Sequence, residues 1–223
     1  MNVLIACEES QAECIEFRKL GHNAFSCDIQ ECSGGHPEWH IQTNVLDIIN
    51  GKCVFKTCDN TLRYINTNWD LIIAHPPCTY LSKAGARWLY PKAGIIDPVR
   101  YEKGLAALDF FNSILQAECD KIVVENPVPL KIFNLPVPSQ KIQPYQFGEP
   151  FSKCTCLWIK GDLPLLLPTN ILSEYKPYID SNCSKAARGL GKGFLNGVRG
   201  SKLRSKTFKG IALAMAQQWG GKI

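Results

Sequence analysis

Apolar and polar positions follow two alternating periodicities along the first half of the chain. Val3 to Cys7 is a continuous apolar run of strand length, and Gln11 to Leu20 has helical spacing that stops at Gly21. Ala24 to Ile29 predicts a second strand with Asp28 at its end. Trp69 to Ala74 is an apolar run halted by His75-Pro76-Pro77, the pattern of a strand buried on both faces. Tyr101 to Ala117 sets Leu105, Leu108, Phe111, Ile114 and Leu115 on one helix face, and Lys121 to Val124 is another buried strand. Strands alternating with helices predict βαβ units, hence an α/β fold with a mostly parallel sheet and helices on both faces.

Beyond Pro127 the texture changes. Pro127, Pro129, Pro136, Pro138 and Pro144 interrupt regular structure before Cys154 to Lys160 predicts a late strand. Residues 161–182 are rich in Pro and Leu and read as irregular, and Phe208 to Trp219 reads as a closing helix. The segment 50–68 reads as a hairpin or an insertion. At 223 residues the chain suits one domain, or one with a small appendage. It has no apolar run of about 18 or more residues, so no membrane-spanning helix is expected. Met1-Asn2-Val3-Leu4-Ile5-Ala6 is too short and too uncharged for a signal peptide. Eleven cysteines at scattered spacings then imply free thiols in a reducing cytoplasm. Cys32, His36 and His40, and the pair Cys53 and Cys58, lack the knuckles of a zinc site, so no metal is expected.

The net charge is only +5, but it is unevenly spread. From Ser181 to Ile223 no Asp or Glu occurs, while Lys185, Arg188, Lys192, Arg199, Lys202, Arg204, Lys206, Lys209 and Lys222 do. Basic residues interleaved with Gly189, Gly191, Gly193, Gly197 and Gly200 suit a segment that seeks phosphates, or else a solvated surface loop. The sign of the charge favours nucleic acid over an acidic protein.

Three stretches carry candidate chemistry. A first strand, a turn, a helix and an acidic residue ending the second strand form a dinucleotide- or adenosyl-binding arrangement, in which Asp28 can accept hydrogen bonds from ribose hydroxyls. The turn Ala6-Cys7-Glu8-Glu9-Ser10 lacks glycine and carries two carboxylates, which repel a pyrophosphate and tolerate a sulfonium. That favours S-adenosylmethionine over NAD; the alternative is that Glu8 and Glu9 cap the following helix. Pro76-Pro77 forces the chain out of the sheet and presents Cys78 at its rim. The interval from Cys78 to Glu125 accommodates one crossover helix and one neighbouring strand, so both groups would project into one pocket. A thiolate and a carboxyl that can protonate a ring nitrogen are the groups that activate a pyrimidine for substitution at carbon 5.

At these residues the chain resembles the cytosine-5 DNA methyltransferase family. His75-Pro76-Pro77-Cys78 is similar to its Pro-Cys nucleophile loop, and Glu125-Asn126-Pro127 to its Glu-Asn-Val motif. Tyr145 to Thr155 resembles its Gly-x-Pro-Gln-x-Arg-x-Arg segment, and Ser205 to Trp219 its C-terminal segment, which returns beside the cofactor. Small proteins of this kind are associated with bacteriophages. The resemblance implies a Rossmann-like, S-adenosylmethionine-dependent methyltransferase fold, with a flipped cytosine attacked by Cys78 and paired with Glu125. It implies Asn126 and Lys153 as supporting catalytic groups. Cofactor contacts are implied at Ala6, Cys7, Glu8, Glu9, Ser10, Asp28, Ile29, Asp47 and Pro76.

The chain departs from the family pattern at several points. Thr79 stands where Gln or Asn is usual, and Lys153 and Thr155 stand where the family has arginines. Between Lys160 and Ser205 there is no room for a large target-recognition domain. The expected organisation is therefore a catalytic core over 1–160, a short irregular basic segment over 161–204, and a C-terminal helix over 205–223 that returns to the core. Tyr80 to Tyr90 mixes aromatic and basic residues where the family keeps a mobile loop, or forms a buried amphipathic turn. Nucleic-acid contacts are expected at Lys83, Arg87, Lys185, Arg188, Lys192, Arg199 and Arg204. The expected activity is cytosine-5 methylation of duplex or single-stranded DNA with low sequence selectivity. Two alternatives are an enzyme acting on a pyrimidine nucleotide or RNA with the same Cys/Glu pair, and a catalytically silent nucleic-acid-binding protein.

Overall fold

The computed structural model describes residues 1–178 and 206–221; Lys185, Arg188, Lys192, Arg199 and Arg204 lie outside the described residues. In chain order the elements begin with β1 (Asn2–Ala6), α1 (Ala12–Lys19), β2 (Asn23–Asp28) and β3 (His40–Gln42). The strands β4 (Cys53–Lys56), β5 (Leu62–Ile65) and β6 (Leu71–Ala74) precede the one-turn helix α2 (Ala86–Leu89) and the long helix α3 (Pro98–Leu115). After these come β7 (Ile122–Pro127), β8 (Gln140–Ile142), β9 (Phe151–Ser152), β10 (Thr155–Lys160), β11 (Lys176–Pro177) and α4 (Lys209–Trp219).

Seven strands form the main sheet in the order β3-β2-β1-β6-β7-β10-β8. The five from β3 to β7 are parallel, whereas β10 runs antiparallel to both β7 and β8. Their apolar runs are explained by burial on both faces. Leu4, Ala6, Ile72, Ala74, Ile122 and Val124 pack on the side of Phe111 and Ile114 from α3. Val3, Ile5, Leu71, Ile73 and Val123 pack on the side of Cys14 and Phe17 from α1 and Met215 and Trp219 from α4. Helices thus cover both faces, as the sequence pattern predicts. Gly210 lets α4 approach closely, because a Cβ there would stand 1.9 Å from the Phe147 carbonyl oxygen.

Several boundaries differ from the sequence expectation. Segment 50–68 is the hairpin β4–β5, with Val54 opposite Tyr64 and with Phe55 edge-on to Phe25 at 5.1 Å. Strands β3 and β8, three residues each, are too short to leave a periodic signal. Strand β7 runs on through Glu125, Asn126 and Pro127, since β10 pairs Thr155 with Pro127. Segment 80–90 forms a 3-10 turn and α2, with Leu81 and Leu89 buried. No helix among the described residues is long and apolar enough to cross a membrane.

The strand order reverses between β1 and β6, and the carboxyl ends of strands at such a reversal are where open α/β sheets place ligands. Phe111 holds the α3 side of this sheet, fully buried and edge-on to Trp158 at 5.1 Å. Phe111→Ala is expected to lower unfolding stability by about 3–5 kcal/mol. Urea denaturation checks this as a lower midpoint at unchanged slope.

Candidate functional site

The turn after β1 is tightly wound although it contains no glycine. Cys7 (φ 60°) and Gln11 (φ 59°) both occupy the left-handed region, which costs non-glycine residues free energy. The Gln11 amide is buried and holds the turn, donating to the His36 carbonyl at 2.9 Å and accepting from its N–H at 3.0 Å. Segment 30–36 therefore lies over the turn, and Gly34 is needed there because a Cβ would meet the Gln11 Cβ at 2.6 Å. His40 fastens the same segment to the sheet, with Nδ1 2.8 Å from Ser26 Oγ and Nε2 2.9 Å from the Gln30 carbonyl. His36 stacks on Trp39 at 3.9 Å.

The ends of β6 and β7 meet beside this turn. Their register sets Ala74 opposite Val124, which brings the His75–Cys78 loop alongside Glu125 and Asn126. The buried Asn126 amide donates to the Pro76 carbonyl at 3.2 Å, and Leu130 N–H donates to the Leu81 carbonyl at 2.7 Å. These bonds lash the thiol-bearing loop to the carboxylate-bearing one. Lys153 precedes β10, which sets Leu157 opposite Glu125, and its ammonium lies 5.8 Å from the Tyr178 ring and 5.7 Å from that of Phe208.

His75 bridges the two halves. Nδ1 lies 2.5 Å from Glu125 Oε2 and Nε2 lies 3.0 Å from Glu13 Oε1, and the side chains of His75, Glu125 and Glu13 are only 10%, 15% and 0% exposed. Burial alone would push the imidazole toward neutrality, but the Glu13 and Glu125 carboxylates outweigh it and raise its pKa well above the usual value. Burial likewise opposes charge at Glu13 and Glu125. At Glu13 the His75 charge, with the side chains of Glu8, His75 and Thr207 close by, brings the pKa down to about 2. Hydrogen bonding and charge from His75, with the Lys153 charge, hold Glu125 below the ordinary carboxylate range. Glu8 goes the other way: burial and the Glu13 charge raise its pKa well above the ordinary carboxylate value. Its Oε1 accepts the Glu13 N–H at 3.0 Å, so Glu8 also caps the start of α1.

The other expected cofactor residues lie along the same carboxyl edge. Ala6 pairs in register with both Cys27 and Ala74, Asp28 ends β2, and Asp47 sits in the turn after β3. Ile29 is exposed and Pro76 is buried. Burial raises the pKa of the Cys7 thiol far above its ordinary value and so keeps it neutral. Asp28 Oδ1 accepts the Gln30 N–H at 2.9 Å. Glu9 is buried with Oε2 left without a partner, and its Oε1 lies 3.9 Å from Lys206. An orphaned carboxylate oxygen near the Asp28 edge fits a ligand bearing hydroxyl and ammonium donors, as S-adenosylmethionine does. Lys83 and Arg87 are exposed on the loop after Cys78, with Arg87 over the Trp88 ring at 4.6 Å.

No protein-family model matches the chain, and no curated protein sequence matches it. Solved structures similar to it in backbone include the following two. One is a prophage-encoded protein of E. coli described as a DNA modification methyltransferase, with TM-score 0.46, 16% identity and coverage of 77% of this chain and 52% of that one. The other is a mutant of Spodoptera frugiperda DNMT2, with TM-score 0.36, 15% identity and coverage of 81% and 55%. The chain spans about half the length of each.

Sequence reasoning singled out Cys78 and Glu125, passed over Glu13 and gave His75 no role; the structure brings the loops of the first two together and sets His75 between Glu13 and Glu125. The available signal was position: Glu13 shares a helix face with Phe17, four residues on and fully buried, which sets a carboxylate on the apolar stripe. A histidine raised in the folded protein contributes stability that is complete below its unfolded value near 6.5 and is lost as pH climbs through the folded value. The thermal midpoint is therefore expected to fall between about pH 6.5 and 8, before free thiols ionise. In His75→Gln that fall should vanish, with stability at pH 6 lowered by about 3–5 kcal/mol because two carboxylates lose their shared cation. Calorimetry across that pH range checks both.

Proposed function

We propose that this chain is a DNA cytosine-5 methyltransferase of low sequence selectivity. The observation that carries the proposal is the lashing of the Cys78 loop to the Glu125–Asn126 strand end across two neighbouring parallel strands. A thiol and a carboxyl held on adjacent strand ends can grip one pyrimidine from two sides.

The base must leave the duplex stack, since a paired cytosine hides carbon 6 and the ring nitrogen. Exposed Trp88 and Tyr90 offer faces for splayed bases, and Lys83, Arg87 and the basic stretch 181–204 offer phosphate contacts. The Cys78 thiolate adds to carbon 6 while ring nitrogen 3 takes a proton from Glu125, which leaves carbon 5 electron-rich. Asn126 keeps the two loops in register, and Lys153 offsets charge beside Glu125. Asp28 and Glu9 would hold S-adenosylmethionine, which when bound supplies the electrophilic methyl group that carbon 5 takes. Water takes the carbon 5 proton, the electron pair left behind expels the Cys78 thiolate, and nitrogen 3 returns its proton to Glu125, which restores the aromatic ring. Low selectivity follows from the short interval between Lys160 and Ser205, which leaves no large recognition domain.

DNA carrying 5-fluoro-2′-deoxycytidine tests the proposal, because fluorine cannot leave as a cation and the adduct persists. With S-adenosylmethionine present, peptide mass mapping is expected to find the nucleotide on Cys78, and Cys78→Ser to give no adduct. Glu125→Gln is expected to slow trapping by about 10²–10⁴-fold. Wild-type protein that forms no adduct with duplex or single-stranded DNA contradicts the proposal.

A further inference from the structure

The carboxylate expected to protonate the base is itself held ionised, so its proton needs a source within the site. Resting on the cytosine chemistry above, we propose that His75 is a positioning residue that lends Glu125 this proton through the 2.5 Å Nδ1–Oε2 contact while Glu13 secures Nε2 at 3.0 Å.

Two features of the geometry support this. The groups form a graded line: Glu13 is fully buried, His75 nearly so, and Glu125 is the most exposed of the three. A proton on His75 therefore has its open exit at Glu125. The inner end is closed, because Glu8 supports Glu13 from the α1 turn and is itself buried. The charges also balance. As Cys78 sulfur bonds to carbon 6 and loses its negative charge, the Nδ1–H bond breaks and an O–H bond forms on Glu125. That bond breaks in turn as the N–H bond forms at nitrogen 3. One negative and one positive charge disappear together, so no uncompensated charge is created in a buried site. Elimination of the thiolate reverses the path, and the proton returns to Nδ1. The charged and titratable groups facing His75 are Glu13 from α1, Glu8 from the β1 turn and Glu125 from β7. Lys153 before β10 acts on Glu125, and Cys78 shares the His75 loop.

The relay can be read without any methyl donor. Addition of Cys78 plus protonation of nitrogen 3 makes carbon 5 basic enough to exchange its hydrogen, so DNA with 5-tritiated cytosine should release label to water. Release in both proteins rises with ionisation of the Cys78 thiol, which cancels in the ratio of variant to wild type. In His75→Gln, Glu125 must draw its proton from solvent, so that ratio should fall about tenfold per pH unit from about pH 6.5 to 8. The chain has four histidines, so ring-nitrogen NMR of histidine-labelled protein resolves them individually. One ring should remain doubly protonated at pH 8, disappear in His75→Gln, and titrate lower in Glu13→Gln. A neutral His75 ring at pH 7, or a variant-to-wild-type release ratio that does not change with pH, overturns the relay while leaving the methyltransferase reading intact. Absence of release by the wild type overturns both. Should the Gln variant not fold, the titration of the wild-type ring decides.

Discussion

Everything at the carboxyl edge of the sheet depends on one buried cation. His75 stands between Glu13 on α1 and Glu125 on β7, and removing it would leave two carboxylates facing each other in the interior. An isolated buried carboxylate costs several kcal/mol even after local relaxation, so neither could remain ionised there alone. The imidazolium makes both tolerable, and in doing so joins elements far apart in sequence: the first helix, the strand before the Cys78 loop, and the strand carrying Glu125.

That constraint explains features that look unrelated. The β1 turn accepts two left-handed non-glycine residues because Gln11 and the overlying segment 30–36 hold it in the shape that presents Glu8 and Glu13 inward. The C-terminal segment returns to the same place: Thr207 lies beside Glu13, Lys206 donates to Ser33 at 2.7 Å, and α4 packs on α1. The first helix is thus clamped from its buried end and its outer face, and the acid cluster keeps fixed geometry.

Much of this architecture was legible in the sequence where burial is two-sided. Val3 to Ala6 and Leu71 to Ala74 can be little else than central strands, and Phe111 and Ile114 fall on a helical stripe. Strands β3 and β8 were not legible, because three residues carry no period, and their pairing is decided by neighbours distant in sequence. Cys78 stood out because Pro76-Pro77 ends the strand before it, and Glu125 because its interval from Cys78 fits one crossover helix and a neighbouring strand. Glu13 did not, since a single Glu in a helix reads as a solvated face until the partner that draws it inward is known. Glu8 and Glu9 were expected either to line a cofactor mouth or to cap the following helix. Glu8 does cap α1, and Glu9 keeps a buried oxygen on the edge where the cofactor is proposed to sit.

The account makes one claim above the others: this edge activates cytosine for substitution at carbon 5. The most direct measurement is incubation of the purified chain with S-adenosylmethionine labelled in its methyl group and with plasmid DNA, followed by hydrolysis and separation of the bases. Label in 5-methylcytosine, spread over many sequence contexts, is the predicted result. Label that stays entirely in the donor, under conditions where the donor is shown to bind, would contradict the claim.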